Sequence, residues 1–184
     1  MKMSKSFYNI QSPIHCSARK GDLDLLKLAL EIKKVETSDQ YCQDYDFDHK
    51  RTPMDLAAQY GHLEVFKYLE KYMKFPKRYL KGATVNPLIF SAIIRGHTEI
   101  VKYCAQEDPI KPETEVCKIL FYLAIDYGQL EVLKVLFGTL GVPNTHDLLR
   151  MRKKLLKHCA ALEEIFDYIT EVIGQQIKKN EKDL

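Results

Sequence analysis

A chain of 184 residues, 46% apolar and 29% charged, is too apolar for a disordered polypeptide and long enough for one substantial core or a short repeat array. Its net charge of +3 is too small to imply a nucleic-acid binder by itself. No run nears the roughly 18 apolar residues of a membrane-spanning helix, and the segment MKMSKSFYNIQSP lacks the apolar core of a secretory leader. The cysteines, Cys16, Cys42, Cys104, Cys117 and Cys159, are odd in number, widely spaced and without a C-x-x-C pair. Neither a disulfide framework nor a zinc site is expected from them. Reduced thiols in the cytoplasm are the simplest reading, with the nucleus as an alternative.

In chain order, four blocks align without gaps: SPIHCSARKGDLDLLKLAL at 12–30, TPMDLAAQYGHLEVFKYLE at 52–70, PLIFSAIIRGHTEIVKYCA at 87–105 and ILFYLAIDYGQLEVLKVLF at 119–137. Each runs from a short apolar segment through a glycine to an amphipathic segment. Gly21, Gly61, Gly96 and Gly128 are separated by 40, 35 and 32 residues, a period near about 33 with two insertions. Ser12 and Thr52 have hydroxyls suited to capping a first helix, and Pro13 and Pro53 follow at its first position, where a missing N–H costs nothing. Ala57 and Ala58 keep that helix thin, and Gly61 ends it. Leu63, Val65, Phe66 and Leu69 then form the apolar stripe of a second helix, with Glu64 and Lys67 facing water. Neither helix buries its stripe alone, so neighbouring pairs must cover each other.

A fifth, degenerate copy follows. Ala161 stands where the next turn glycine is due, and EIFDYI at 164–169 matches EVFKYL at 64–69 in type and register. Thr145 or Asp147 is the expected cap of its first helix, and the tail after Gly174 is expected to fray.

The blocks resemble ankyrin repeats, whose pattern is T-P-L-H-x-A-A-x-x-G-H-x-x-V-V-x-x-L-L. The second is closest, through Thr52, Pro53, Met54, Ala57, Ala58, Gly61, His62, Leu63, Val65 and Leu69. The first keeps Pro13, His15, Ala18 and Gly21; the third keeps Ala92, Gly96, His97, Ile100 and Val101; the fourth keeps Ala124, Gly128, Val132 and Leu133, with Ile119 and Leu120 in place of Thr-Pro. The resemblance implies an all-α solenoid of stacked helix-turn-helix pairs with irregular linking loops. The expected organisation is a single domain over 1–184, with repeats near 12–34, 50–74, 86–106 and 118–138, capping helices over 145–173 and a frayed tail at 174–184. Departures from the pattern are plain. Asp55, Phe90 and Tyr122 replace the family's histidine, which implies fewer buried polar links between those repeats. The linkers 35–51, 73–86 and 106–118 are long or proline-broken, which leaves regular hairpins in question at each.

The family geometry implies a binding face at the residues just before each turn glycine and just before each first helix. Here these include Arg19, Lys20, Arg51, Gln59, Tyr60, Ile94, Arg95, Lys118, Asp126 and Tyr127. The set is rich in Tyr and Arg, types enriched at binding hot spots, and mostly basic, which favours an acidic or phosphorylated protein partner. The expected protein is a monomeric interaction module, an adaptor, scaffold or effector-type binder. The alternative is a binder of nucleic acid or an anionic membrane surface through basic groups at 74–81 (Lys74, Lys77, Arg78, Lys81) and 150–157 (Arg150, Arg152, Lys153, Lys154, Lys157). Each group reads more simply as, respectively, a flexible loop and the solvated face of a helix.

Other motifs point nowhere. Asp44, Asp46, Asp48 and Asp55 fall at calcium-loop positions, but His49 replaces the needed glycine, Pro53 interrupts the loop and Asp55 stands where Glu is required. His15 and Cys16 are adjacent on a helix and diverge by about 100°, which argues against a catalytic dyad. No phosphate-binding glycine loop, nucleophile elbow or H-E-x-x-H occurs. No enzyme activity, cofactor, metal or small-molecule substrate is expected.

Overall fold

The computed structural model describes residues 13–32, 52–72, 78–80, 83–85, 88–107, 114–155 and 162–182. It divides into two compact units, Met1–Pro76 and Lys77–Leu184. The fold class is all-α, built of stacked helix-turn-helix pairs, as the sequence leads one to expect.

The first unit holds α1 (Pro13–Lys20), α2 (Leu23–Ile32), α3 (Pro53–Tyr60) and α4 (Leu63–Tyr72). First helix packs on first helix, α1 on α3, and second on second, α2 on α4. Thr52 caps α3: its hydroxyl accepts the Asp55 N–H at 3.1 Å while the Asp55 carboxylate accepts the Thr52 N–H at 2.8 Å. Two otherwise orphaned donors are thereby satisfied, which gives Asp55 a structural role. Ala57 and Ala58 are fully buried, as are Phe66 and Leu69, while Glu64 and Lys67 pair in solvent at 3.3 Å.

Each pair turns in the same way. Gly21, Gly61, Gly96 and Gly128 all have φ between +67° and +79°, a conformation cheap only for glycine. The N–H of the next residue then closes back to the carbonyl five residues earlier: Asp22 to Ser17, His62 to Ala57, His97 to Ala92 and Gln129 to Ala124, at 2.8–3.0 Å. Those acceptors are small, buried residues. Small side chains let the chain fold back closely over the end of its own helix.

Among its described residues the second unit holds two paired strands and six helices. Strand β1 (Arg78–Leu80) pairs antiparallel with β2 (Ala83–Val85), Arg78 opposite Val85 and Leu80 opposite Ala83. Of the segment 74–81, for which a flexible loop is expected, residues 78–80 form a strand and the others lie outside the described residues. The two strands include Tyr79, Thr84 and Val85, residue types that favour extended backbone.

Next come α5 (Leu88–Arg95), α6 (Thr98–Glu107), α7 (Glu115–Asp126), α8 (Leu130–Leu140), α9 (Thr145–Leu155) and α10 (Glu163–Lys182). Here too α5 packs on α7 and α6 on α8, and α9 packs on both α7 and α10. Phe121 and Phe137 meet edge to face at 5.1 Å in the buried seam of α7 and α8.

Three boundaries differ from expectation. Helix α7 starts at Glu115, before the expected 118, because Thr114 accepts the Cys117 N–H at 3.3 Å and caps it. Helix α9 is capped by Asn144, rather than Thr145 or Asp147. Asn144 Oδ1 accepts the Asp147 N–H at 2.9 Å and its Nδ2 donates to the Asp147 carboxylate at 3.0 Å. Helix α10 runs through Gly174 to Lys182 instead of fraying. Gln176 holds this extension: its Nε2 donates to the Pro143 carbonyl at 3.0 Å and its Oε1 accepts the Thr145 hydroxyl at 3.2 Å.

Candidate partner-binding surface

The repeat geometry brings a defined set of side chains to each turn. In the first unit Arg19, Lys20 and Tyr60 are exposed just before the left-handed glycines, with Gln59 half-buried beside them. The Arg19 guanidinium lies over the Tyr60 ring, 5.4 Å from its centroid, so two expected contact residues form one composite surface. In the second unit Arg95, Asp126 and Tyr127 are exposed and Ile94 is half-buried. Tyr60 and Tyr127 retain 39% and 52% of their surface, large values for side chains fixed at helix ends.

The turns are held in line by a link that the pattern of the replaced histidine did not reveal. His62, just after Gly61, reaches back over Gly21 and places Nε2 3.0 Å from the Arg19 carbonyl. A carbonyl only accepts, so Nε2 carries the hydrogen. Gln129, just after Gly128, does the same in the second unit and donates to the Ile94 carbonyl at 3.2 Å. Both acceptors are two residues before a turn glycine and belong to the expected binding set. Leu162, just after Ala161, takes this position in the fifth copy and packs on Gly128.

Two expected contact residues have internal partners. Lys118 lies inside α7 instead of ahead of it. Its ammonium is 3.3 Å from the buried carboxylate of Asp147 and 3.4 Å from Glu115. The hydrogen bond to Asp147, ahead of the other contacts, raises the Lys118 pKa above the usual lysine value. Asp126 pairs with Lys154, 2.7 Å from Nζ to Oδ2, and the same ammonium sits 4.9 Å from the centre of the Tyr122 ring. Arg51 lies outside the described residues.

The basic run on α9 is partly committed to packing. Lys154 is held as above, and the Arg152 guanidinium covers the Phe166 ring at 5.0 Å. Arg150 and Lys153 face solvent, and Lys157 lies outside the described residues. Of the 74–81 group, only the strand backbone of 78–80 is described. Asp44, Asp46 and Asp48 also fall outside, and among the described residues no acidic, histidine or cysteine cluster could hold a metal ion. No described helix is long and apolar enough to cross a membrane. His15 is buried in α1 and Cys16 half-buried.

The second helices carry a further periodic feature. Lys27 sits 5.8 Å from the Tyr68 ring centre in the first unit, and Lys134 sits 5.8 Å from that of Tyr168 in the second. Glu131, 2.7 Å away, raises the Lys134 pKa. Burial beside Phe137 raises the Tyr168 pKa, because a buried phenolate loses hydration.

Residues 2–79 match the family model described as ankyrin repeats (3 copies). Helix pairs of the same design, with the same glycine turns, recur in the second unit, so the ankyrin-repeat likeness shown for residues 2–79 continues in the architecture that follows.

Proposed function

We propose that this protein recognises another protein through the side chains that flank its turn glycines. Ankyrin repeats are in general protein–protein interaction modules. The contact set is Arg19, Lys20, Gln59 and Tyr60 in the first unit and Ile94, Arg95, Lys118, Asp126 and Tyr127 in the second; Arg51, which the sequence adds to it, lies outside the described residues. The observation that carries this reading is the pair of exposed tyrosines, Tyr60 and Tyr127, each standing immediately before a left-handed glycine. A large aromatic with only two side-chain torsions adds contact area with little loss of conformational entropy.

The partner presents an acidic or phosphorylated surface. Arg19, Lys20 and Arg95 are exposed in the set, and its one carboxylate, Asp126, is neutralised by Lys154. The role is that of a monomeric adaptor, scaffold or effector-type binder in the cytoplasm, and no cofactor or catalytic step enters it. Binding to nucleic acid or an anionic membrane is less well supported, because Arg152 and Lys154 are engaged in packing contacts. Capture from a cell lysate with the full chain, compared with the Tyr60→Ala/Tyr127→Ala variant and repeated at rising salt, tests the reading. A protein retained by the first and lost from the second supports it. Retention by both, or recovery of nucleic acid with steep salt dependence, overturns it.

A further inference from the structure

A missing ring marks a second contact point, on the second-helix face of the second unit. Six residues after each turn glycine the chain carries a lysine: Lys27, Lys67, Lys102 and Lys134. Seven residues after the following turn it carries Tyr68, Tyr103, Val135 and Tyr168. In two of these pairs, Lys27–Tyr68 and Lys134–Tyr168, the ammonium lies over the ring at the same 5.8 Å. At Lys102 the next repeat offers Val135 instead. Among the described residues no ion pair, hydrogen bond or ring contact engages the Lys102 ammonium.

A second loss coincides with the first. The position ten residues after the turn is Glu31, Lys71, Gln106 and Glu171 in the other copies, but Gly138 in this one. A glycine inside a helix costs roughly 1 kcal/mol relative to alanine. Packing does not require it here, since an added methyl would meet nothing within 4 Å. Together the two changes open a groove between α6 and α8, lined by Lys102, Ala105, Gln106, Val135, Gly138 and Thr139.

We infer that this groove receives an aromatic side chain from a partner polypeptide. The incoming ring takes the place that Tyr68 holds by Lys27 and Tyr168 holds by Lys134. Its negative face lies under the Lys102 ammonium and its edge against Val135 and Gly138. The chemistry favours Tyr, Phe or Trp over an aliphatic residue, because only a π face complements the cation. The repeats themselves supply the template, and the inference does not depend on the turn-flanking surface.

The test is a methyl NMR titration of the full chain with the peptide acetyl-Gly-Ser-Tyr-Ser-Gly-amide and its leucine counterpart. Saturable upfield shifts are expected at the Ala105, Val135 and Thr139 methyls and the Lys102 ε-methylene, with the tyrosine peptide only. Val135→Tyr restores an internal ring and Gly138→Gln refills the groove. Each should weaken the peptide by roughly tenfold, as expected for losing a cation–π contact and its buried area. Spectra of α6 and α8 outside the groove show that each variant is folded, and if one is not, the other decides. The Tyr60→Ala/Tyr127→Ala variant should bind the peptide as the unaltered chain does. No saturable shift, equal shifts with the leucine peptide, or undiminished binding by the folded variants would overturn the inference.

Discussion

Gln129 reaches back one repeat to donate its side-chain amide to the Ile94 carbonyl, and in doing so covers the turn at Gly96. The cover is close: a methyl on Gly96 would fall 2.4 Å from Gln129 Oε1, and one on Gly21 would fall 2.4 Å from His62 Nδ1. The turn glycines therefore answer two demands, a left-handed backbone and room for the side chain from the next repeat.

These demands can be separated by a double-mutant cycle. Gln129→Ala should cost about 1 kcal/mol, the usual net worth of one hydrogen bond. Gly96→Ala should cost about 1–2 kcal/mol from its positive φ, plus the displacement of the amide. The double variant should cost less than the sum, because once the amide is gone only the backbone penalty remains. Strict additivity in urea unfolding would show that the amide does not press on the turn.

The cap at Thr52 offers an independent check on the first unit. Thr52→Ala removes the acceptor for the Asp55 N–H, and about 1 kcal/mol of stability should be lost. Thr52→Ser should restore most of it, since the hydroxyl and the reciprocal Asp55 bond survive. A denaturation midpoint unmoved by Thr52→Ala would contradict the capping box.

Stability should decline in alkali for reasons tied to Lys118 and Tyr168. Both pKa values are raised in the folded state, Lys118 chiefly by its bond to Asp147 and Tyr168 by burial. A raised value means that the native state holds its proton more tightly than the unfolded chain. The stabilisation is thus fully present below the unfolded values, about pH 10, and lost as pH rises through the folded ones. Thermal melts between neutral pH and pH 11 should show a falling Tm, less steep in a Lys118→Met/Tyr168→Phe variant. An identical slope in that variant would rule out these groups.

The C-terminal extension should matter as well. Removing residues 174–184 deletes the two hydrogen bonds of Gln176 to Pro143 and Thr145. A loss of about 1–2 kcal/mol, or a Tm lower by a few degrees, is expected. A truncated chain melting like the full one would mean that the extension is dispensable.

Much of this architecture was legible in the sequence because single residues carry it. Thr52, Pro53 and Gly61 fix one helix from end to end, and a glycine at a steady interval signals each turn. The parts that escaped depend on pairs brought together by the fold. Thr114 caps α7 without the following proline that flags Thr52. Gly174 looked like a stop until Gln176 was seen to reach Pro143 and Thr145. The bond from Gln129 to Ile94 joins residues 35 apart in sequence. Lys118 and Asp126 looked like surface charges because their partners, Asp147 and Lys154, lie on a helix yet to come.

The most direct measurement for the binding account is site-specific photocrosslinking in lysate, with a benzoylphenylalanine replacing Tyr60 or Tyr127 in turn and Lys153 on α9 as control. The account predicts the same discrete protein adduct from positions 60 and 127 and none from 153. Silence at both tyrosine positions, with protein or nucleic-acid adducts at 153, would contradict it.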